Sequence, residues 1–378
     1  MRTIANYNED VATNNYKVTG IHRESIWNVI PSFHVVEGTA PDLMHDGPEG
    51  VCHYIMIFII KKIVENKSPD LKTLNFRIKN FDYGPCVSNK PPLISEQHLQ
   101  KTKLRMSASE MLCFVRFFSL IIGDMIPEGN KIWGLYLKLK QLIEYLLAPS
   151  IQKDCADLLE LYISELNIAY HDLSGETLKN KFHHLTHYPN FLRKFGPCVN
   201  LWVFRFDGKH RMSKKNANVV AGRVNPQYTL AVNSQLNFQT SIFSDKFLND
   251  LFEWGSEEIV SLLDELQSFP SYLVKNNLLN TEGLKVSWIK CYGTRYSSEM
   301  VLIYDIAENL PCFAEIVDIY VVNKTVLFQC AKLEITDIDE HYGCFRVRKT
   351  GNLALINQEN LIDPIPTCIS RNALMCHL

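Results

Sequence analysis

The chain has 378 residues, enough for two or three domains and a sizeable core, and its 46% hydrophobic and 21% charged residues are those of an ordinary globular protein. Its 39 Lys and Arg against 41 Asp and Glu leave a formal net charge of −2, which excludes a globally basic nucleic-acid coat but not a local basic groove. The 11 cysteines contain no CxxC pair, so free and mostly buried thiols in a reducing compartment are expected, without a disulfide framework or a zinc ribbon.

The N-terminal stretch MRTIANYNEDVATNNYKV is polar, with neither the apolar run of a secretory signal nor the Arg-rich character of a transit peptide. Residues 1 to 40 read as loop-rich, with a short helix in RESIWNVIP that Pro31 ends and a short strand in FHVVEG, 33 to 38. GVCHYIMIFIIKKIVEN, 50 to 66, predicts a buried helix with a basic end, and Pro48 fits its first turn, where a missing N–H costs nothing. Pro85, Pro91 and Pro92 break the stretch from 67 to 106. From Ser107, which stands at capping-box spacing from Glu110, three segments carry apolar residues every three or four positions and predict three antiparallel helices over 107 to 172. The most apolar runs, YIMIFII and MLCFVRFFSLII, are shorter than the ~20 residues of a bilayer crossing, so no membrane partner is expected. Residues 245 to 267 read as one or two further helices. After NTEG, 280 to 283, five short strand-like runs predict a small antiparallel barrel or rolled sheet over 280 to 350, with a domain boundary near 280 and a tail over 351 to 378. Trp288, Tyr292, Tyr296 and Tyr304 either line a groove in that module or fill its core.

Three places concentrate chemistry. PDLMHDGPEGV, 41 to 51, holds Asp42, His45, Asp46 and Glu49 just before the apolar helix; Asp42 or Asp46 can cap that helix, and a carboxylate there can also bind magnesium, the cap being favoured. HHLTH sets His183 and His187 four apart, on one face if this is a helix, a zinc-compatible spacing that lacks further ligands or an HExxH motif; hydrogen-bonded core or surface histidines are the commoner outcome. VFRFDGKHRMSKK reads as a strand running into a helix with Asp207 at the junction, among Arg205, Lys209, His210, Arg211, Lys214 and Lys215. That is either a solvated basic face or a metal-binding carboxylate beside a phosphate-attracting surface.

In order, PDLMHDGPEGVC, KFHHLTHYPNFLRKFGP and FRFDGKH resemble the catalytic core of CACTA-type (En/Spm-like) DNA transposases. The family pattern runs D-x-M-H-D-x-x-E-G-V, K-x-H-x-L-x-H-Y-P, F-G-P and R-F-E-x-K-H-x-x-x-K, and EHYGCFRV in the tail resembles the family's C-terminal module. The resemblance spans most of 17 to 350. It implies an α/β protein: a partial RNase H-like core over 1 to 275, a large helical insertion over about 50 to 172, and a small C-terminal antiparallel β-barrel-like domain. It also implies a DDE-type site in which three carboxylates hold two Mg²⁺ ions. Asp42 corresponds to the second acid, with His45 as its motif partner; Asp207 corresponds to the third, and His183 and His187 are the paired motif histidines.

Two departures weigh against activity. The family's third acid is Glu, and Asp207 is one methylene shorter, whereas metal–ligand distances tolerate about 0.2 Å. Nothing before Asp42 matches the first acid; Asp10, in a stretch expected to be unstructured, is the one candidate, so the chain is expected to lack the first strands of its own core, by loss or by a truncated reading frame. The sequence therefore suggests a transposase-derived protein with Mg²⁺ as cofactor only if active, DNA or chromatin binding through the basic segment 193 to 215, with Arg205, Lys209, His210, Arg211, Lys214 and Lys215 as its contacts, and a nuclear location by resemblance, cytoplasmic otherwise. The alternatives are a protein-interaction scaffold using the C-terminal β-domain and, less favoured, a zinc enzyme using the histidines.

Overall fold

A computed structural model of the chain describes residues 2–85, 87–101, 103–219, 225–243, 252–308, 310–367, 369 and 374–375. It is a mixed α/β structure, with a helical region followed by antiparallel sheet.

The N-terminus begins with helix α1, Ile4–Thr13, capped by Thr3, so Asp10 lies on a helix and pairs with Arg2 at 3.1 Å rather than standing in unstructured chain. The strand expected in FHVVEG is instead a helical turn, Val35–Gly38, capped by the His34 ring, which accepts the Val36 N–H. A side-chain acceptor at the start of a turn offers a local partner that a lone strand would lack.

The helix expected to begin near Pro48 begins earlier. Helix α2, Leu43–Asp46, passes through a π turn, Gly47–Val51, into helix α3, Cys52–Glu65. Pro48 has no N–H to give the Met44 carbonyl and its ring crowds the preceding turn, so the helix widens there instead of ending. Helices α4, Leu71–Asn80, α5, Ala108–Ile122, α6, Lys131–Leu147, and α7, Cys155–Ser174, complete the main layer. The Ser107–Glu110 capping box forms. Helices α6 and α7 run antiparallel, pairing Lys138 with Glu165 and Tyr145 with Tyr162. Ile55, Ile59, Phe114, Phe118, Leu139 and Leu142, each 0% exposed, belong to one core that α3, α5 and α6 share. Short helices α8, Asn180–Leu185, and α9, Tyr188–Phe195, lead to α10, Phe204–Val219, and α11, Pro226–Phe243. The strand expected before Asp207 is thus the first turn of α10.

Among the described residues, strands start at Phe252. Of the helix or two expected over 245 to 267, the part over 245 to 251 lies outside the described residues; from Phe252 the chain forms β1, Phe252–Trp254, and β2, Glu257–Ser261, followed by one helical turn, Leu262–Glu265. Pairing with a neighbour overrides the helical preference of the Glu-rich run, and glutamates at 257 and 258 suit an edge strand. The remaining strands are β3, Glu282–Val286, β4, Trp288–Cys291, β5, Thr294–Ser297, β6, Val301–Ala307, β7, Leu310–Val322, β8, Thr325–Asp339, β9, Cys344–Asn357, β10, Asp363–Thr367, and β11, Leu374–Met375. They form an eight-stranded antiparallel sheet along β10-β6-β7-β8-β9-β11, with β3 also paired to β7 and β2 to β3, and a three-stranded sheet β1-β4-β5. The sheet thus extends on both sides of 280 to 350: β2 precedes it, and Asp363–Thr367, in the expected tail, pairs with β6. Tyr296 is buried against Phe328, and Trp288 lies under the Arg295 guanidinium, so these aromatics do packing work; Tyr292 is exposed.

The turn between β8 and β9 docks into the helical region. Lys140 of α6, 1% exposed, donates to the carbonyls of Tyr342 at 3.1 Å and Gly343 at 2.8 Å and to the Ser119 hydroxyl. Trp133 Nε1 donates to the His341 carbonyl at 2.7 Å, and the His341 ring contacts the Gly123 carbonyl. Gly123 is required there: a Cβ would sit 2.7 Å from the Tyr342 ring. Lys140→Met keeps the bulk but leaves two carbonyls without this donor. Urea unfolding should show a loss of about 1–3 kcal/mol; an unchanged midpoint would show that the hairpin does not depend on Lys140.

Candidate functional site

The site is built where α2, the π turn, α8, α9 and the start of α10 meet. Asp42 is the N-cap of α2: its carboxylate accepts the N–H of Met44 at 3.1 Å and of His45 at 3.3 Å. It also accepts the Val203 N–H at 3.0 Å, from the residue that precedes α10 in a segment far along the chain. Its second oxygen meets His45 Nδ1, and His45 Nε2 faces Glu49 at 3.6 Å. A carboxylate offers about four acceptor positions. Three backbone N–H groups and one imidazole occupy them.

Asp46, one turn later, is 2% exposed and is the centre of a second network. It accepts Lys181 Nζ at 2.9 Å, contacts His184 Nδ1 at 2.9 Å and accepts the Tyr188 hydroxyl at 3.2 Å. Burial first, then the Asp46 charge, pushes the Tyr188 phenol far above its ordinary range, so it remains a donor. Gly50 lets these segments approach: a Cβ there would lie 2.9 Å from the His45 carbonyl and 3.1 Å from the Lys181 side chain. Gly50→Ala should therefore lower the thermal midpoint by several degrees, and an unchanged midpoint would show that the contact yields freely.

No family model, curated protein or solved structure matches the chain.

The structure brings Asp42 to the start of α10, which carries position 207 about 6 Å further along its axis at ~1.5 Å per residue. The meeting is between two helix ends, not across a sheet. The side chains of Arg205, Asp207, Lys209, His210 and Arg211 lie outside the described residues; Lys214 and Lys215 are exposed. His183 and His187 pair with each other, Nε2 to Nε2 at 3.2 Å, with rings edge to face, and neither contacts an acid in the described network. Burial and the neighbouring His183 hold the His187 pKa below its ordinary value. Among the described residues no group of three His, Cys, Asp or Glu is placed to hold a metal. Protein donors take the acceptor positions of Asp42, and the Lys181 ammonium sits on Asp46.

Sequence reasoning missed Lys181, His184, Tyr188 and Val203. Lys181 and His184 stand three apart on α8 and Tyr188 opens α9; the spacing i, i+3 and i+7 is a signal that the neighbouring His183 and His187 obscured. The Val203 bond is made by backbone and leaves no trace in side-chain patterns.

Proposed function

We propose that the chain is a CACTA-transposase-derived protein that has no strand-transfer chemistry and binds duplex DNA through α10. In this reading the helices between Cys52 and Ser174 correspond to the family's insertion into an RNase H-like core, and the C-terminal strands to its rolled, barrel-like module. Such a role belongs in the nucleus. The observation that carries the reading is the Asp42–Val203 hydrogen bond. The motif acid is used to anchor the start of a helix that holds Arg205, Lys209, Arg211, Lys214 and Lys215 against one acid, Asp207. A local run of cations attracts phosphate whatever the net charge of the whole chain.

The test is duplex binding by fluorescence anisotropy from 50 to 200 mM salt. Five phosphate contacts predict a log–log slope of about −4 to −5, and replacing the five cations by Gln should bring it close to zero. Salt-independent binding, or unchanged binding by the five-fold variant, would refute the helix as the contact. A nicking and strand-transfer assay with Mg²⁺ or Mn²⁺ is expected to show no turnover; turnover abolished by Asp42→Ala would overturn the non-catalytic reading.

A further inference from the structure

Helix α11, Pro226–Phe243, contains no charged side chain in its 18 residues. It leaves Tyr228, Val232, Leu236, Phe238, Ile242 and Phe243 exposed, Tyr228 by 68% and Phe243 by 85%. At 3.6 residues per turn these six positions fall within an arc about 160° wide that also holds Ala231, Gln235 and Gln239, with Leu230 on the opposite side. Single exposed apolar residues are ordinary, but a face of six is not. Side chains of this size expose on the order of 700 Å² together, close to the ~800 Å² that each partner contributes to a standard protein interface.

The chemistry of the helix selects its occupant. A helix that lies on a membrane carries Lys and Arg on its polar face. The polar positions of α11 are Asn, Gln, Ser and Thr. A different protein chosen by charge would need charged positions around the apolar face, and α11 supplies none. Two copies of an uncharged face bring no like charges together, and a two-fold axis makes one patch serve both partners. We propose that two copies of this chain associate through the apolar face of α11. The proposal does not depend on DNA binding. Where both hold, the dimer presents two copies of α10 to one duplex.

Sedimentation velocity on the full chain between 1 and 100 µM tests it. The expected result is a shift from the 43.5 kDa monomer to twice that mass. Leu236→Glu combined with Phe243→Glu should weaken self-association at least tenfold while circular dichroism and the thermal midpoint stay unchanged, because both side chains are more than half exposed. A wild-type chain that remains monomeric at 100 µM overturns the proposal, as does a double variant that dimerises like the wild type. Recruitment of a monomeric wild type to phosphatidylcholine–phosphatidylserine vesicles would overturn it in favour of a membrane-surface helix. Monomers that bind duplex with the expected salt slope would remove the dimer and leave the DNA reading standing; dimers that do not bind would do the reverse.

Discussion

Asp46→Ala is expected to destabilise the helical region by about 3 kcal/mol, the lower end of the range for breaking a buried ion pair, because Lys181 keeps about a third of its side chain in solvent. The mechanism is the loss of one acceptor shared by three donors: the Lys181 ammonium, the His184 ring and the Tyr188 hydroxyl. Tyr188 is fully buried and has no route to water for a replacement bond. Because the network joins α2 to α8 and α9, its loss also loosens the approach of α10 to Asp42. Urea unfolding measures the effect. In a double-mutant cycle with Lys181→Met, the second substitution should recover part of the loss, since it removes the cation left behind. A loss below about 0.5 kcal/mol in Asp46→Ala would mean that the cluster is solvated in solution.

The helical region should also weaken in mild acid because of His53. This residue of α3 is 4% exposed, its Nδ1 finds no hydrogen-bond partner among the described residues, and burial, then the nearby Lys103 charge, lowers its pKa from 6.5 to about 4. Above pH 6.5 the ring is neutral in both folded and unfolded chains and has no effect. As pH falls from 6.5 towards 4 the unfolded chain takes up a proton that the folded chain refuses, so stability declines with each step. The loss is on the order of 3 kcal/mol once complete, because each pH unit between the two titrations is worth about 1.4 kcal/mol. His187, also lowered, adds to the same trend. Unfolding midpoints from pH 7.5 to 4 should fall for the wild type and flatten in His53→Leu; parallel curves would show that other groups set the acid sensitivity.

Local signals were legible wherever one segment settled its own structure. The Ser107–Glu110 box, the three helices after it and the strand runs from Leu284 to Lys349 follow from spacing and turn residues alone. The readings that failed were those in which a distant partner decides. FHVVEG has strand composition but no strand beside it, and the His34 ring closes a turn instead. EEIVS has helical composition but pairs with β3. Asp42 could be read as a cap, which it is, but not as the acceptor for Val203.

The sequence by itself determined the helix Cys52–Glu65 and those from Ala108 to Ser174, the strand runs from Leu284 to Lys349, and that acids, histidines and cations gather in three stretches, because period and composition act over a few residues. Only the tertiary structure decided which of those side chains meet. Bringing Lys181 and Tyr188 onto Asp46, or the 341–343 turn onto Lys140, depends on how helices far apart in the chain pack, and a buried charge is tolerated only where that packing supplies its partner.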